Sequence, residues 1–177
     1  MYRCVRDVTR ARYFLFECRA FSSRAHLRHL GLFVTQTIEQ GTWKRFDASY
    51  NEEDIETGGM GPCLGILIHE PVSMVVFGGH FEGETHVHTP GDVHEMLDTA
   101  FREFALASDV RVYVSGCCFA GTTPGERKTA NDLRYFVAQE LGSRCSPNIK
   151  VNWLWPTVQS WVDMNLNGTT RKLDIIS

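Results

Sequence analysis

The chain has 177 residues, of which 43% are apolar, 22% charged and 11% aromatic, the composition of one globular domain able to bury a core and not that of a disordered or fibrous chain. No apolar run approaches the ~20 residues that cross a bilayer, and the start MYRCVRDVTRAR lacks the apolar segment of a signal peptide, which argues against membrane insertion and predicts a cytoplasmic protein or one delivered into a host cell without such a leader. Residues 1–46 carry nine Lys/Arg against three Asp/Glu and the remainder nine against eighteen; the net charge of −3, with no basic stripe interleaved with aromatics in the body, argues against nucleic-acid binding.

The basic start reads as a solvated face paired with the acidic body, as a docking surface for an acidic partner, or as a targeting segment. From Tyr13 to Ile38 the apolar runs FLF and LGLFV suggest one or two strands, and Thr42 to Glu56 reads as polar loop. CLGILIH at 63–69 and MVVFGGH at 74–80 are apolar β-type runs separated by Glu70-Pro71-Val72-Ser73, a hairpin signature. Thr89-Pro90-Gly91-Asp92 and Thr123-Pro124-Gly125-Glu126 each offer a capping hydroxyl, a first-turn proline and a carboxylate three residues on, which predicts two helix starts. The first helix buries Val93, Met96, Leu97, Ala100, Phe101 and Phe104 by spacing, the second Ala130, Leu133, Val137 and Leu141.

Between the helices VRVYVSG at 110–116 predicts a strand ending in a turn at Gly116. IKVNWLW at 149–155 predicts another, and VDMNLNGTTRKLDII a closing hairpin turning at Asn167-Gly168. The expected fold is therefore α+β: a sandwich-like core of mainly antiparallel strands flanked by two amphipathic helices, in a single domain over 1–177. Cys4, Cys18, Cys63, Cys117, Cys118 and Cys145 form no CxxC pair and no disulfide framework, which suits reduced thiols; Cys117 and Cys118 read as small buried residues.

The hairpin carries the chemistry. With its turn centred between Pro71 and Val72, Cys63 stands directly opposite His80 on one face, where Cβ atoms are ~4.5–5.5 Å apart. A thiol of ordinary pKa roughly 8.5 is mostly protonated at neutral pH, and an adjacent imidazole can take its proton. Glycines 58, 59 and 61 around Met60, then Pro62, bend the backbone so that amides point at an anion beside the sulfur. Gly61, Pro62, Gly79, Gly116 and Cys117 are the expected oxyanion or substrate-binding positions.

Thr57-Gly58-Gly59-Met60-Gly61-Pro62-Cys63-Leu64-Gly65 through Glu70-Pro71, ending in Gly78-Gly79-His80-Phe81, resembles the bacterial chemoreceptor glutamine deamidase family CheD. Gly125-Glu126-Arg127-Lys128 looks like that family's Gly-Glu-Arg-Asn helix, and Val162 to Leu166 like its C-terminal strand pair, so that the resemblance covers 55–176 and leaves 1–54 a divergent N-terminal segment. It implies Cys63 as nucleophile, His80 as general base and Thr57 as the residue that orients His80. It also implies no cofactor, and as partner a protein presenting a glutamine, either a chemoreceptor or a host protein. Here Pro62 replaces the family's serine, Gly78-Gly79 abuts His80 directly, and Gly116-Cys117-Cys118 replaces a glycine-rich turn. The same fold is shared by the catalytic domain of cytotoxic necrotizing factor and Burkholderia lethal factor, toxins that suggest an effector role, and N-terminal asparagine amidohydrolase is a further possible relative.

Two other classes of function fit some residues. His86 and His88, with His94 and Glu82 or Glu84, have spacing that suits a zinc site. The basic N-terminal third with Trp153, Trp155 or Trp161 suits a non-catalytic binding module, although strand-like tryptophans read as core.

Overall fold

The computed structural model describes residues 34–176 except 48, 49, 51, 83–88, 119–121, 145, 156–161 and 171. The chain divides into two units, Met1–Val34 and Thr35–Ser177, and the described elements lie in the second. Along the chain they are β1 (Thr35–Thr37), β2 (Thr42–Phe46), β3 (Asp54–Thr57), β4 (Leu64–His69), β5 (Val76–Phe81), α1 (Thr89–Glu103), β6 (Val110–Gly116), α2 (Pro124–Arg144), β7 (Ile149–Leu154), β8 (Asp163–Leu166) and β9 (Leu173–Ile176). They form a five-stranded sheet, β2-β5-β4-β6-β7, and a four-stranded sheet, β1-β3-β8-β9. Pairing is antiparallel except for β1 with β3 and β6 with β7, so the α+β reading holds.

Alternation along the central strands builds two cores. Leu64, Ile66 and Ile68 of β4, Phe77 and Phe81 of β5, and Val110, Val112 and Val114 of β6 share one cluster with Val93, Met96, Leu97 and Ala100 of α1 and Ala130, Leu133, Val137 and Leu141 of α2. Leu67 and Val76 face the other way and join Ile38, Ile55, Met60, Met164 and Leu166 between the sheets. Each fully buried Leu, Ile or Met contributes about 1.5–3 kcal/mol relative to exposure. Both helices bury the residues their spacing assigns, Phe101 only partly. At α2 the capping box forms: Glu126 N–H donates to Thr123 Oγ1 (3.3 Å) and Thr123 N–H to the Glu126 carboxylate. At α1 the Thr89 hydroxyl donates to the Glu82 carbonyl (3.2 Å).

The segment 42–56 is not all loop. Its polar letters belong to an edge strand: among the described residues β2 pairs only with β5, so Lys44 and Arg45 stay in water while Trp43 packs on the helix-side core and Phe46 on the inter-sheet core. Arg45 ties that edge to α1 through Glu103, at 2.5 and 2.7 Å. β3 is four residues long, with Ile55 and Thr57 buried and Asp54 and Glu56 half-buried.

The chain changes sheet four times, between β1 and β2, β2 and β3, β3 and β4, and β7 and β8. Residues 40 and 41 of the first connection and 60 and 63 of the third meet near the ends of β4 and β5. Gly41 N–H donates to the His80 carbonyl (2.8 Å), and Met60 N–H to the Val162 carbonyl (3.1 Å).

Candidate active site

Cys63 lies one residue before β4, and His80 is the penultimate residue of β5. The observed register pairs Gly65 with His80 and Leu64 with Phe81, so the direct opposition expected of Cys63 and His80 is corrected by two residues. The cause is the turn, which is a loop over residues 71–74. Glu70 N–H donates to the Val75 carbonyl (3.3 Å), Met74 N–H reaches back to Glu70 (3.1 Å), the Glu70 carboxylate accepts from Ser73 N–H, and Met74 takes φ 61°. Cys63 precedes β4 and is not part of its ladder; its thiol lies 3.7 Å from the Gln40 amide nitrogen and close enough to Cys117, in the helix-side core, to help raise that thiol.

Opposite His80 stands Gly65, where a Cβ would collide with the Met60 sulfur and crowd Met164. Glycine at this position lets the two methionines close over the hairpin beside the histidine.

The end of β6 clamps the cysteine's backbone. Cys117 N–H donates to the Cys63 carbonyl (2.6 Å), Cys118 N–H to Gly61 (2.7 Å), and the Cys118 thiol to Met60 (3.2 Å). Gly116 makes this approach possible: its φ is 100°, and a Cβ there would strike the Cys63 carbonyl oxygen. Arg134 of α2 donates to the Gly116 (3.4 Å) and Cys117 (2.7 Å) carbonyls while its guanidinium lies 4.4 Å from the Trp155 ring centre. Burial pushes the Cys117 thiol up to about 12, and it also raises that of Cys118. Neither is a nucleophile at neutral pH.

His80 is 3% exposed, and neither ring nitrogen makes a hydrogen bond of ordinary geometry. Burial holds its pKa below the ordinary 6.5, against the opposing pull of the Glu82 carboxylate, the nearby Ile38 carbonyl and Asp163. The imidazole is therefore neutral at pH 7, the form that accepts a proton. Thr57, at the end of β3, is fully buried with its hydroxyl also unpartnered. β3 and β5 meet across the inter-sheet layer, so Thr57 and His80 share it without a hydrogen bond between them.

A residue absent from the sequence reading completes the surroundings. Gln40, on the first crossing, donates its side-chain amide to the Cys63 sulfur at 3.7 Å. Its neighbour Gly41 is the residue bonded to the His80 carbonyl.

No family model matches the chain, and no curated protein matches it. Among solved structures, the Neisseria meningitidis protein NMB0706 is 8% identical, with TM-score 0.41, over 77% of this chain and 68% of that one. The Bacillus licheniformis hypothetical protein YfiH is 12% identical, TM-score 0.37, over 61% and 50%. The C-terminal domain of CNFy from Yersinia pseudotuberculosis is 7% identical, TM-score 0.35, over 80% and 54%. The chain thus spans about half the length of the latter two, and none of these likenesses carries a functional argument.

The amides expected around the sulfur have other places. Gly61 N–H is bonded to the Gly59 carbonyl (2.9 Å), Pro62 has no N–H, and Cys117 N–H holds Cys63. Gly79 is paired on both sides within β5, and its vacant Cβ direction points at Phe81 and Met96 in the helix-side core. Gly116 is the clamp itself. Of the zinc set, His86, His88 and Glu84 lie outside the described residues, and His94 sits on the α1 surface bonded to Asp98 (3.0 Å) and Glu140 (2.9 Å). Among the described residues no group of three candidate ligands is placed to hold a metal. Trp161 is likewise outside. Trp153 is 38% exposed, stacked on Trp155 at 5.4 Å, and so is not the core residue its strand pattern suggests.

Proposed function

We propose that this chain is a cysteine-dependent amidohydrolase, and that its substrate is a glutamine side chain presented by another protein. The observation that carries the reading is His80: a buried, neutral imidazole with unpartnered nitrogens, on the strand paired with the one that the buried Cys63 leads into. An orphaned buried polar group costs about 1–3 kcal/mol and persists where it has work to do. Thr57, orphaned in the same layer, is the partner for the ring in the substrate complex. The resemblance of 57–81 to the chemoreceptor glutamine deamidases points the same way.

The chemistry follows from the groups. His80 takes the Cys63 proton, and the thiolate attacks the carboxamide carbon, forming a C–S bond as the C=O pair moves to oxygen. The tetrahedral anion collapses, the C–N bond breaks, and the nitrogen leaves as ammonia with the proton from His80. Water activated by the same imidazole attacks the thioester, and sulfur departs as thiolate, leaving glutamate. Cys63 is 6% exposed and lies against the Gln40 side chain, so the substrate side chain has to reach a buried sulfur.

The test is incubation of wild type and Cys63→Ser with candidate proteins, chemoreceptors and host-cell extracts included, followed by peptide mass spectrometry. Conversion of glutamine to glutamate that requires Cys63 is the expected result. Conversion confined to N-terminal asparagine would move the chain to that class, and no Cys63-dependent conversion would overturn the reading.

A further inference from the structure

We infer that Gln40 is a catalytic residue, whose side-chain amide holds the oxyanion formed at the substrate carbonyl; this rests on the amidohydrolase reading above. Three backbone positions beside the sulfur offer no free amide. The amide of Gly61 is spent on Gly59 and that of Cys117 on the Cys63 carbonyl, while Pro62 has none. The loop that bends into the nucleophile thus directs its hydrogen bonds inward, to hold itself together.

Gln40 supplies a donor from the opposite side. Its Nε2 is 3.7 Å from the Cys63 sulfur. In the tetrahedral intermediate the oxyanion is borne by the carbon bonded to that sulfur, so an amide resting against the thiol is within a small side-chain rotation of the oxygen. As the C–S bond forms and the carbonyl pair moves onto oxygen, the N–H turns from sulfur to the new anion and releases it when the C–N bond breaks. A neutral amide also leaves the proton balance between Cys63 and His80 undisturbed, as a carboxylate would not.

The main chain around Gln40 is set before substrate arrives. Ile38 is buried, and its N–H is bonded to Glu56 (2.8 Å). Thr42 N–H (3.2 Å) and Oγ1 (2.7 Å) both donate to the Glu39 carbonyl. Gly41, at φ 73°, donates to the His80 carbonyl (2.8 Å). The turn that carries the donor is therefore fastened to the strand that carries the base, which is the preorganisation electrostatic catalysis requires.

The experiment compares two reactions of Cys63 that differ in whether an oxyanion forms. Acylation by p-nitrophenyl acetate passes through a tetrahedral oxyanion; alkylation by iodoacetamide does not. Gln40 is exposed, so Gln40→Ala and Gln40→Glu should fold, and thermal melts check that they do. Loss of the donor is expected to slow acylation by about 10²–10³-fold while alkylation stays within about threefold of wild type. Acylation unchanged in Gln40→Ala would overturn the role of Gln40 and leave the amidohydrolase reading standing. Acylation and alkylation falling together would also overturn it, since Gln40 would then act on the thiol itself. Wild type acylating no faster than Cys63→Ala would remove the amidohydrolase reading and this inference with it.

Discussion

Gly116→Ala should both destabilise the chain and loosen the nucleophile. The new methyl group meets the Cys63 carbonyl oxygen, and the backbone there has φ 100°, where an L side chain is strained. The backbone contributes about 1–2 kcal/mol of destabilisation. Displacing the Cys63 carbonyl breaks its 2.6 Å bond from Cys117, worth about 1 kcal/mol more. A loss of about 2–3 kcal/mol in a chain of this size corresponds to a fall in Tm of about 4–12 °C. Gly142→Ala is the internal control: it lies on an exposed face of α2, a Cβ meets nothing within 4 Å, and alanine's helix propensity should raise stability by up to about 1 kcal/mol. Melts followed by circular dichroism give the stabilities, and the rate of iodoacetamide labelling at Cys63 gives the local effect. A Gly116→Ala protein that melts with wild type and labels at the same rate would refute the clamp.

His80→Leu should leave stability unchanged or raised, because an apolar side chain replaces an orphaned one, while abolishing turnover; equilibrium denaturation and the deamidation assay read the two effects separately. Because burial lowers the His80 pKa, the unfolded chain binds the proton more readily between the folded value and 6.5. Stability should therefore rise with pH across that window and fall as acid enters it, and the acid limb of kcat/KM should lie below pH 6.5; an acid limb above 6.5 would contradict the assignment of His80 as base. Burial raises the thiols of Cys117 and Cys118, so mild iodoacetamide treatment of the folded protein at pH 8 should label neither, as peptide mapping will show.

Local periodicity made much of this fold legible. Ala130, Leu133, Val137 and Leu141 are one helix stripe, and all four are buried. Which strands form the central hairpin was legible for a similar reason, since two apolar runs flank a turn signal, although the register differs by two residues from the tight turn that the sequence suggests. The exact register was not legible, because loop length depends on the Glu70 carboxylate bonding Ser73 N–H and on Met74 taking a positive φ. The last hairpin shows the same limit. Asn167 does begin its turn, but its Oδ1 accepts from Thr169 N–H, Thr170 N–H and Thr170 Oγ1 and so holds a longer loop than the Asn-Gly pair suggests. β2 hides behind the polar letters of an edge strand. Gln40 gave no local signal at all, since its place beside Cys63 depends on where the chain changes sheets.

The four changes of sheet along the chain also say which parts of the site come from which sheet. Cys63 and His80 belong to a single hairpin and can approach each other as soon as it closes. The Gly41 bond to His80 extends the β2–β5 ladder of the same sheet, whereas Thr57 comes from β3 and reaches the site only when the four-stranded sheet docks. The hairpin alone therefore lacks the residues that the second sheet contributes. Under the proposed function, docking of the two sheets is the step that completes the site.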